Sequence, residues 1–212
     1  MHVPSDGIGV EMDGRLVRHY QPRKRLIVAG VGPSAVQLSR LGQIVGFEVV
    51  IYSPDRPTIR AVSPLGVETI SIISVASPSK IRADSRTAIV FMFHDHEWER
   101  DLLPAALATN AFYIGAMGSR ATHRTRLRQL AEVGFAHAQL ERIHGPAGLF
   151  ASAKSAADIA LSILAEIAQI ERTIELSNGS LVAGKSHTLS QQSGGDEPRT
   201  QKRSPSGVGC VV

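Results

Sequence analysis

The order of apolar segments in residues 26–52 predicts a strand, a glycine turn, a helix and a second strand. Residues 26–29 form a continuous apolar run that ends at Gly30, which is typical of a buried strand in a parallel sheet. Apolar side chains then recur at helical spacing over residues 34–45, and residues 48–52 (EVVIY) form a second, β-branched run. A β-α-β unit of this kind indicates an α/β fold with parallel strands.

The same alternation of strands and helices continues to about residue 172. Further strands are predicted over residues 67–75, 87–93 and 112–117. Further helices are predicted over residues 99–108 and 121–133 and behind Ser155, where a capping box begins. This order predicts a single Rossmann-like α/β domain over residues 25–172, with a doubly wound, mainly parallel sheet.

The segments on either side of this domain have a different composition. Residues 1–24 carry Pro, Gly and charge without clear periodicity, and we interpret them as an N-terminal lead-in. Residues 173–212 are rich in Ser, Gly, Gln, Lys and Pro. Such a segment buries too little apolar surface to offset its ordering entropy, so the sequence predicts a disordered tail.

Charge and composition argue against two classes of partner. The net charge is +4, but the basic residues are scattered and no Lys/Arg run is interleaved with aromatic residues, so nucleic-acid binding is not predicted. No apolar run approaches the roughly 20 residues of a membrane span, and the first residues do not resemble a signal peptide. With Cys210 as the single cysteine, we expect a cytoplasmic protein without disulfides.

The first glycine turn matches the pattern G-x-G-x-x-A that holds phosphates in dinucleotide-binding folds. Gly30 would allow the tight turn, Gly32 would let a phosphate approach the backbone, and Ala35 would let the helix pack closely on the strand. The following helix would offer its free N–H groups to an anion. Ser53 stands where an NAD-binding domain carries an acidic residue, which argues against classical NAD binding.

Two further polar segments follow predicted strands. His94, Asp95 and His96 come directly after the strand over residues 87–93, and Gly118, Ser119 and Arg120 come after the strand over residues 112–117. Ligands bind at the carboxyl edge of open α/β sheets, so we expect both segments to line one crevice, with Arg120 suited to an anion. The two imidazoles, with the carboxylates of Asp95 and Glu99, could bind a metal or move a proton. The segment is equally compatible with a polar strand end that caps the next helix, and we assign no metal ligands.

Four blocks of the chain together resemble one family. They are RLIVAGVGPSA, FHDHEWE, YIGAMGSRATHRTRL and RIHGPAGLFASAKSAADIALSILAEI, in that order, and the last two are the most specific. These blocks resemble the XdhC/CoxI family, the accessory proteins of xanthine dehydrogenase and related molybdenum hydroxylases. The resemblance implies a chaperone that binds molybdenum cofactor (molybdopterin) and assists its insertion into a molybdenum hydroxylase client. It also adds His144, in the fourth block, to the cofactor-binding residues.

The chain departs from the family pattern at several places. Pro33 stands where the family usually has histidine, Ser53 and Phe150 stand where it has aspartate, and Ser152 replaces a glycine. The family's usual N-terminal half is not part of this sequence, which suggests a separate partner chain of that type; a homodimer is also possible. We expect a cofactor carrier rather than an enzyme.

Two other functions remain open from the sequence. The first is an NAD(P)-dependent oxidoreductase that uses the same glycine turn, although no Tyr-x-x-x-Lys pattern follows Tyr113. The second is a non-catalytic interaction module that keeps the fold with a degenerate ligand site. The isolated histidines His123, His137 and His187 are interpreted as surface residues.

Overall fold

The fold was derived from a computed structural model of the chain. The structure describes residues 8–12, 15–19, 23–72, 81–94, 97–150 and 153–189, with the backbone alone for residues 8–19 and 178–189. The backbone divides into two compact units, Met1–Arg172 and Thr173–Val212.

An antiparallel hairpin precedes the main domain. Strands β1 (Ile8–Met12) and β2 (Arg15–His19) pair with Ile8 opposite His19 and Met12 opposite Arg15. The sequence analysis interpreted residues 1–24 as a lead-in without clear periodicity and did not predict these strands. The signal was present, because the Asp13-Gly14 pair between two short segments favours a two-residue hairpin turn.

The main sheet has six parallel strands in the spatial order β5-β4-β3-β6-β7-β8. They are β3 (Arg25–Gly30), β4 (Glu48–Ser53), β5 (Glu68–Ser71), β6 (Thr87–Met92), β7 (Tyr113–Ala116) and β8 (Ile143–His144). The strand order reverses between β3 and β6, which is the doubly wound Rossmann arrangement and places a crevice at the carboxyl ends of these two strands. The predicted fold class is therefore confirmed.

Helices cover both faces of the sheet. They are α1 (Gly32–Ile44), α2 (Arg56–Val62), α3 (Glu99–Leu107), α4 (Arg120–Glu132), α5 (His137–Leu140) and α6 (Ala156–Leu189), with a short 3₁₀ turn at Ser63–Leu65. As predicted, the Ser155 hydroxyl caps α6 by accepting the Asp158 N–H at 3.0 Å.

The core consists of two apolar layers because successive strand residues point to opposite faces. On one face, Ile27 and Phe91 belong to the same buried cluster as Leu103 of α3 and Leu130 of α4. On the other, strand residues pack with α1 and α6; the buried members include Val28, Val90, Leu38, Ile163 and Ile167.

Several elements within the main domain also differ from the sequence prediction. Residues 53–57 were interpreted as a loop, whereas α2 begins at Arg56 because Asp55 caps it and Pro57 suits the first turn. The third strand is shorter than predicted, and residues 73–75 lie outside the described residues. Strand β8 was missed because two residues carry no periodicity.

The helical backbone also continues beyond the predicted end of the domain. Helix α6 extends to Leu189, so the first part of the predicted tail is helical, and residues 190–212 lie outside the described residues. No proline interrupts residues 156–189, and adding residues to an existing helix is easier than nucleating one. None of the described helices has the length and apolar character needed to cross a membrane.

Candidate functional site at the carboxyl edge of the sheet

The two glycines of the first turn have different roles. Gly30 lies against β6: a Cβ at this position would stand 2.6 Å from Met92 Cβ and 2.7 Å from the Met92 carbonyl oxygen. Gly32 has φ +81°, and no atom would lie within 4 Å of an added Cβ. The sequence analysis assigned the turn to Gly30 and close approach to Gly32. In the structure, Gly30 allows close contact with β6, and Gly32 is the residue that adopts the left-handed φ of the turn. The approach of a phosphate to Gly32 stays a prediction.

The N-terminus of α1 has few donors left for a phosphate. The Val31 N–H donates to the Met92 carbonyl at 3.2 Å, and the Gly32 N–H donates to the Thr58 hydroxyl at 2.8 Å. Pro33 has no N–H, so Ser34 is the remaining first-turn donor. Thr58 of helix α2 therefore accepts a hydrogen bond from the Gly32 N–H, a group that a dinucleotide-binding turn would present to its ligand. Ala35 is fully buried under this turn, as the close packing of helix on strand requires.

The end of β4 is also committed to the fold. Ser53 is fully buried, and its hydroxyl accepts the Asp55 N–H at 3.2 Å. The Asp55 carboxylate accepts the Thr58 hydroxyl and the Thr58 N–H, and these bonds lower the pKa of Asp55. The acidic residue nearest to the ribose position of an NAD-binding fold thus serves as the N-cap of α2.

The second glycine turn is more accessible. Gly118 has φ +140°, which favours glycine, and the chain then enters α4 at Ser119. The Ser119 hydroxyl accepts the Thr122 N–H at 3.1 Å. The N–H groups of Arg120 and Ala121, also in the first turn, have no hydrogen-bond partner among the described residues. The Arg120 side chain is exposed and makes no ion pair with any described residue.

A buried ion pair anchors α4 to α3 below this turn. Arg126 Nε lies 2.8 Å from Glu99 Oε2, and both side chains are 4% exposed. A second guanidinium nitrogen donates to Glu99 Oε1 at 3.1 Å and to the Met117 carbonyl at 2.9 Å. Glu99, the last residue of the FHDHEWE block, is therefore part of a structural ion pair.

His94 lies at the same edge of the sheet as Gly118, because β6 and β7 are parallel neighbours in which Phe91 pairs with Ala116. It is exposed and lines an open groove of about 1120 Å³ between α3 and α4, together with Thr122 and Arg126. Asp95 and His96 lie outside the described residues. No group of three or more potential metal ligands occurs among the described residues.

His144 belongs to a polar cluster at the far end of this edge. Its ring stacks on Tyr113, with centroids 4.8 Å apart, and its Nδ1 lies 3.8 Å from Glu166 Oε1. The other Glu166 oxygen accepts the Tyr113 hydroxyl and the Gly148 N–H, each at 2.6 Å. Burial and this neighbouring carboxylate raise the pKa of Tyr113, so its hydroxyl stays protonated.

His123 is a member of the same cluster, contrary to the sequence analysis. It was interpreted as a surface residue, but its ring is half-buried and packs so closely on Gly145 that a Cβ there would collide with it. Its Nδ1 lies 3.5 Å from Arg126 Nη1. Sequence spacing offered one signal, since His123 and Arg126 stand three residues apart on one helix face.

The comparison with known proteins identifies the family. The sequence pattern of the XdhC Rossmann domain matches residues 26–167, which covers most of the described main sheet and the helices that pack on it. The chain belongs to the XdhC family.

Three relatives illustrate how this XdhC Rossmann domain is used elsewhere. The molybdenum cofactor insertion chaperone PaoD of Escherichia coli is 40% identical over 87 residues, covering 41% of this chain and 27% of PaoD. A protein of Bacillus subtilis described as a probable xanthine dehydrogenase subunit is 26% identical over 160 residues, covering 74% of this chain and 46% of that protein. The uncharacterised protein YqeB of E. coli is 26% identical over 195 residues, covering 89% of this chain and 35% of YqeB.

A solved structure agrees with this assignment. The crystal structure of a protein described as a xanthine dehydrogenase from Bacillus halodurans aligns with a TM-score of 0.61 at 25% identity, covering 74% of this chain and 46% of that chain. The chain thus spans between a quarter and a half of the length of these relatives.

Proposed function

We propose that this XdhC protein is an accessory chaperone that carries molybdenum cofactor to a molybdenum hydroxylase and catalyses no reaction of its own. The observation that carries the proposal is the match of residues 26–167 to the XdhC Rossmann domain, supported by the 40% identity with a molybdenum cofactor insertion chaperone. The client would be an enzyme of the xanthine dehydrogenase type.

Within this proposal, the cofactor phosphate binds at the second glycine turn rather than at the first. Arg120 is exposed and cationic, and the turn at Gly118 and Ser119 leaves two helix N–H groups unused. At the first turn, the Gly32 N–H is already bound by Thr58 and Pro33 offers no donor. Gly30, Gly32 and Ala35 then position β3, β6 and α1 around the crevice, while His94 flanks it.

Charge substitutions test this location. Arg120→Ala should weaken the binding of molybdopterin by roughly tenfold, since one charge-assisted phosphate contact is lost. Lys154→Ala is the matched control, because Lys154 is an exposed cation in the loop before α6. Equal losses in the two variants would mean that bulk charge alone attracts the ligand, and would reject the second turn as the site.

The maturation role is tested in the source organism. Deletion of the gene should leave its xanthine or carbon monoxide dehydrogenase low in activity and in sulfurated cofactor. Full enzyme activity with normal molybdenum and sulfido content would reject the role. The deletion strain should then be complemented with this chain alone and with this chain plus a candidate N-terminal XdhC-type partner chain. The second arm is needed because this chain spans at most about half of the relatives' length.

The tight first turn also favours a second candidate, an interaction module without a ligand. The bond from Gly32 to Thr58 removes a phosphate donor from the very motif that the fold normally uses. Parallel titrations with molybdopterin and NADPH separate the candidates. The chaperone binds molybdopterin, an oxidoreductase would bind NADPH, and the interaction module would bind neither.

A further inference from the structure

His123 and His144 present complementary hydrogen-bonding groups at one end of the carboxyl edge. The two rings come from α4 and β8, and the His123 ring packs against Gly145, the residue that follows His144. The ring of His144 is fixed by stacking on Tyr113, and that of His123 by its contacts with Gly145 and Arg126. Each imidazole is therefore fixed by its own neighbours, and His144 is close enough to His123 to lower the pKa of that ring.

The neighbours of each ring determine where its proton lies. Arg126 can only donate, so His123 Nδ1 faces it as an acceptor and the ring proton is on Nε2. The Glu166 carboxylate can only accept, so it favours the proton of His144 on Nδ1 and leaves Nε2 as an acceptor. The pair thus offers one N–H donor and one nitrogen acceptor.

Both Nε2 atoms are free and reach solvent. Neither atom has a hydrogen-bond partner among the described residues. Neither is a buried atom without a partner, because among the described residues only Arg25 Nε is in that position. Burial lowers the pKa of both rings; Arg126 and His144 lower that of His123 further, while Glu166 partly opposes the effect at His144. Both rings are therefore neutral at neutral pH.

We propose that His123 and His144 bind the edge of a heterocycle that carries a donor beside an acceptor. The dianion of a phosphate ester offers acceptors alone and would leave His144 Nε2 unmatched, whereas the amide or amidine edge of a pterin or a nucleobase matches both rings. This inference rests on the proposed function for its choice of cargo, in which the pair holds the ring system and Arg120 holds the phosphate.

The experiment measures binding of an unphosphorylated pterin, guanosine and inorganic phosphate to the full chain. His123→Phe and His144→Phe keep an aromatic ring for packing on Gly145 and stacking on Tyr113 but remove the nitrogens. Each should weaken pterin binding by roughly tenfold, which corresponds to one hydrogen bond, and leave phosphate binding unchanged. His137→Phe is the control, because that side chain is 87% exposed on α5.

The pH profile and the nucleoside separate the remaining outcomes. Pterin affinity should hold at neutral pH and fall as the rings protonate below their ordinary pKa of 6.5. Tighter binding of guanosine than of pterin would identify a nucleobase as the ligand. Unchanged pterin affinity in both Phe variants, tighter binding at low pH, or no binding of either heterocycle would overturn the inference.

These results also separate the inference from the proposed function. If molybdopterin binds equally well to the parent and to both Phe variants, the histidine site is rejected and the chaperone role is not affected. Pterin binding that depends on the histidines, together with full hydroxylase activity in the deletion strain, would retain the site and reject the maturation role.

Discussion

The hydroxyl of Thr58 accepts the backbone N–H of Gly32 at 2.8 Å and so joins α2 to the first glycine turn. The same hydroxyl donates to the Asp55 carboxylate, and Thr58 is only 2% exposed. A short chain of hydrogen bonds thus connects the ends of β3 and β4. Part of the donor capacity of the first glycine turn therefore serves the fold.

Removal of this hydroxyl should destabilise the domain. Thr58→Val keeps the shape of the side chain and leaves the Gly32 N–H and the Asp55 carboxylate without this partner, so the free energy of unfolding should fall by about 1–2 kcal/mol. Ser63→Ala, which removes an exposed hydroxyl bonded to the Ile59 carbonyl, should change it by less than about 0.5 kcal/mol. Urea unfolding measures both, and equal stability of Thr58→Val and the parent would contradict the role given to this bond.

The buried pair of Glu99 and Arg126 predicts a non-additive pair of substitutions. Glu99→Leu leaves the guanidinium buried without its counter-charge and should cost about 3–5 kcal/mol. The double variant Glu99→Leu/Arg126→Leu should recover much of this loss, since no charge remains in the core.

A surface pair provides the comparison for that experiment. Arg128 and Glu132 lie 4.0 Å apart with both side chains largely exposed, so Arg128→Ala should cost less than about 0.5 kcal/mol. The prediction for the buried pair fails if the loss of unfolding free energy in Glu99→Leu/Arg126→Leu equals the sum of the losses in the two single variants.

The two glycines of the first turn should respond differently to alanine. Gly30→Ala forces a methyl group onto the Met92 backbone and should cost about 2–3 kcal/mol by overpacking. Gly32→Ala meets no atom within 4 Å and is destabilised only by its left-handed φ, about 1–2 kcal/mol. Thermal unfolding ranks the two variants, and a larger loss at Gly32 would show that the turn has tighter surroundings than the structure gives.

The lowered pKa values of His123 and His144 predict a stability that declines in mild acid. Both rings bind protons less readily when folded, so the unfolded chain takes up more protons below the ordinary pKa of 6.5. Stability should therefore be full above pH 6.5 and decrease as the pH falls below it.

Replacement of both histidines tests the source of this pH dependence. Below pH 6.5, the double variant His123→Phe/His144→Phe should lose less of its free energy of unfolding per pH unit than the parent does. An unchanged slope in the double variant would assign the effect to other groups.

The main domain should fold without the C-terminal segment. Among the described residues, the last buried apolar side chain is Ile167, so a chain that ends at Arg172 retains the whole apolar core. Its Tm should lie within a few degrees of the full-length value by thermal unfolding. A larger decrease would show that residues 173–212 contribute to the stability of the domain.

Local pattern was sufficient for the parallel sheet and its principal helices. Buried strands such as β3 and β6 are continuous apolar runs, and a glycine turn followed by a helical stripe leaves few alternatives to a β-α-β unit. Short elements were missed for the same reason, because β8 and α5 are too brief to show a period. The cap at Asp55 shows that α2 could have been found from its first turn.

The amino-acid sequence by itself determined the Rossmann-like fold, the family and the positions of the glycine turns, since these follow from spacing along the chain. Tertiary structure alone decided how the polar groups are used. It bound the Gly32 N–H to Thr58, buried Glu99 with Arg126 and brought His123 beside His144. The two members of each pair belong to different elements, which the packing of the fold brings into contact. Buried polar groups must find hydrogen-bond partners, and no local sequence pattern specifies which residues those partners are.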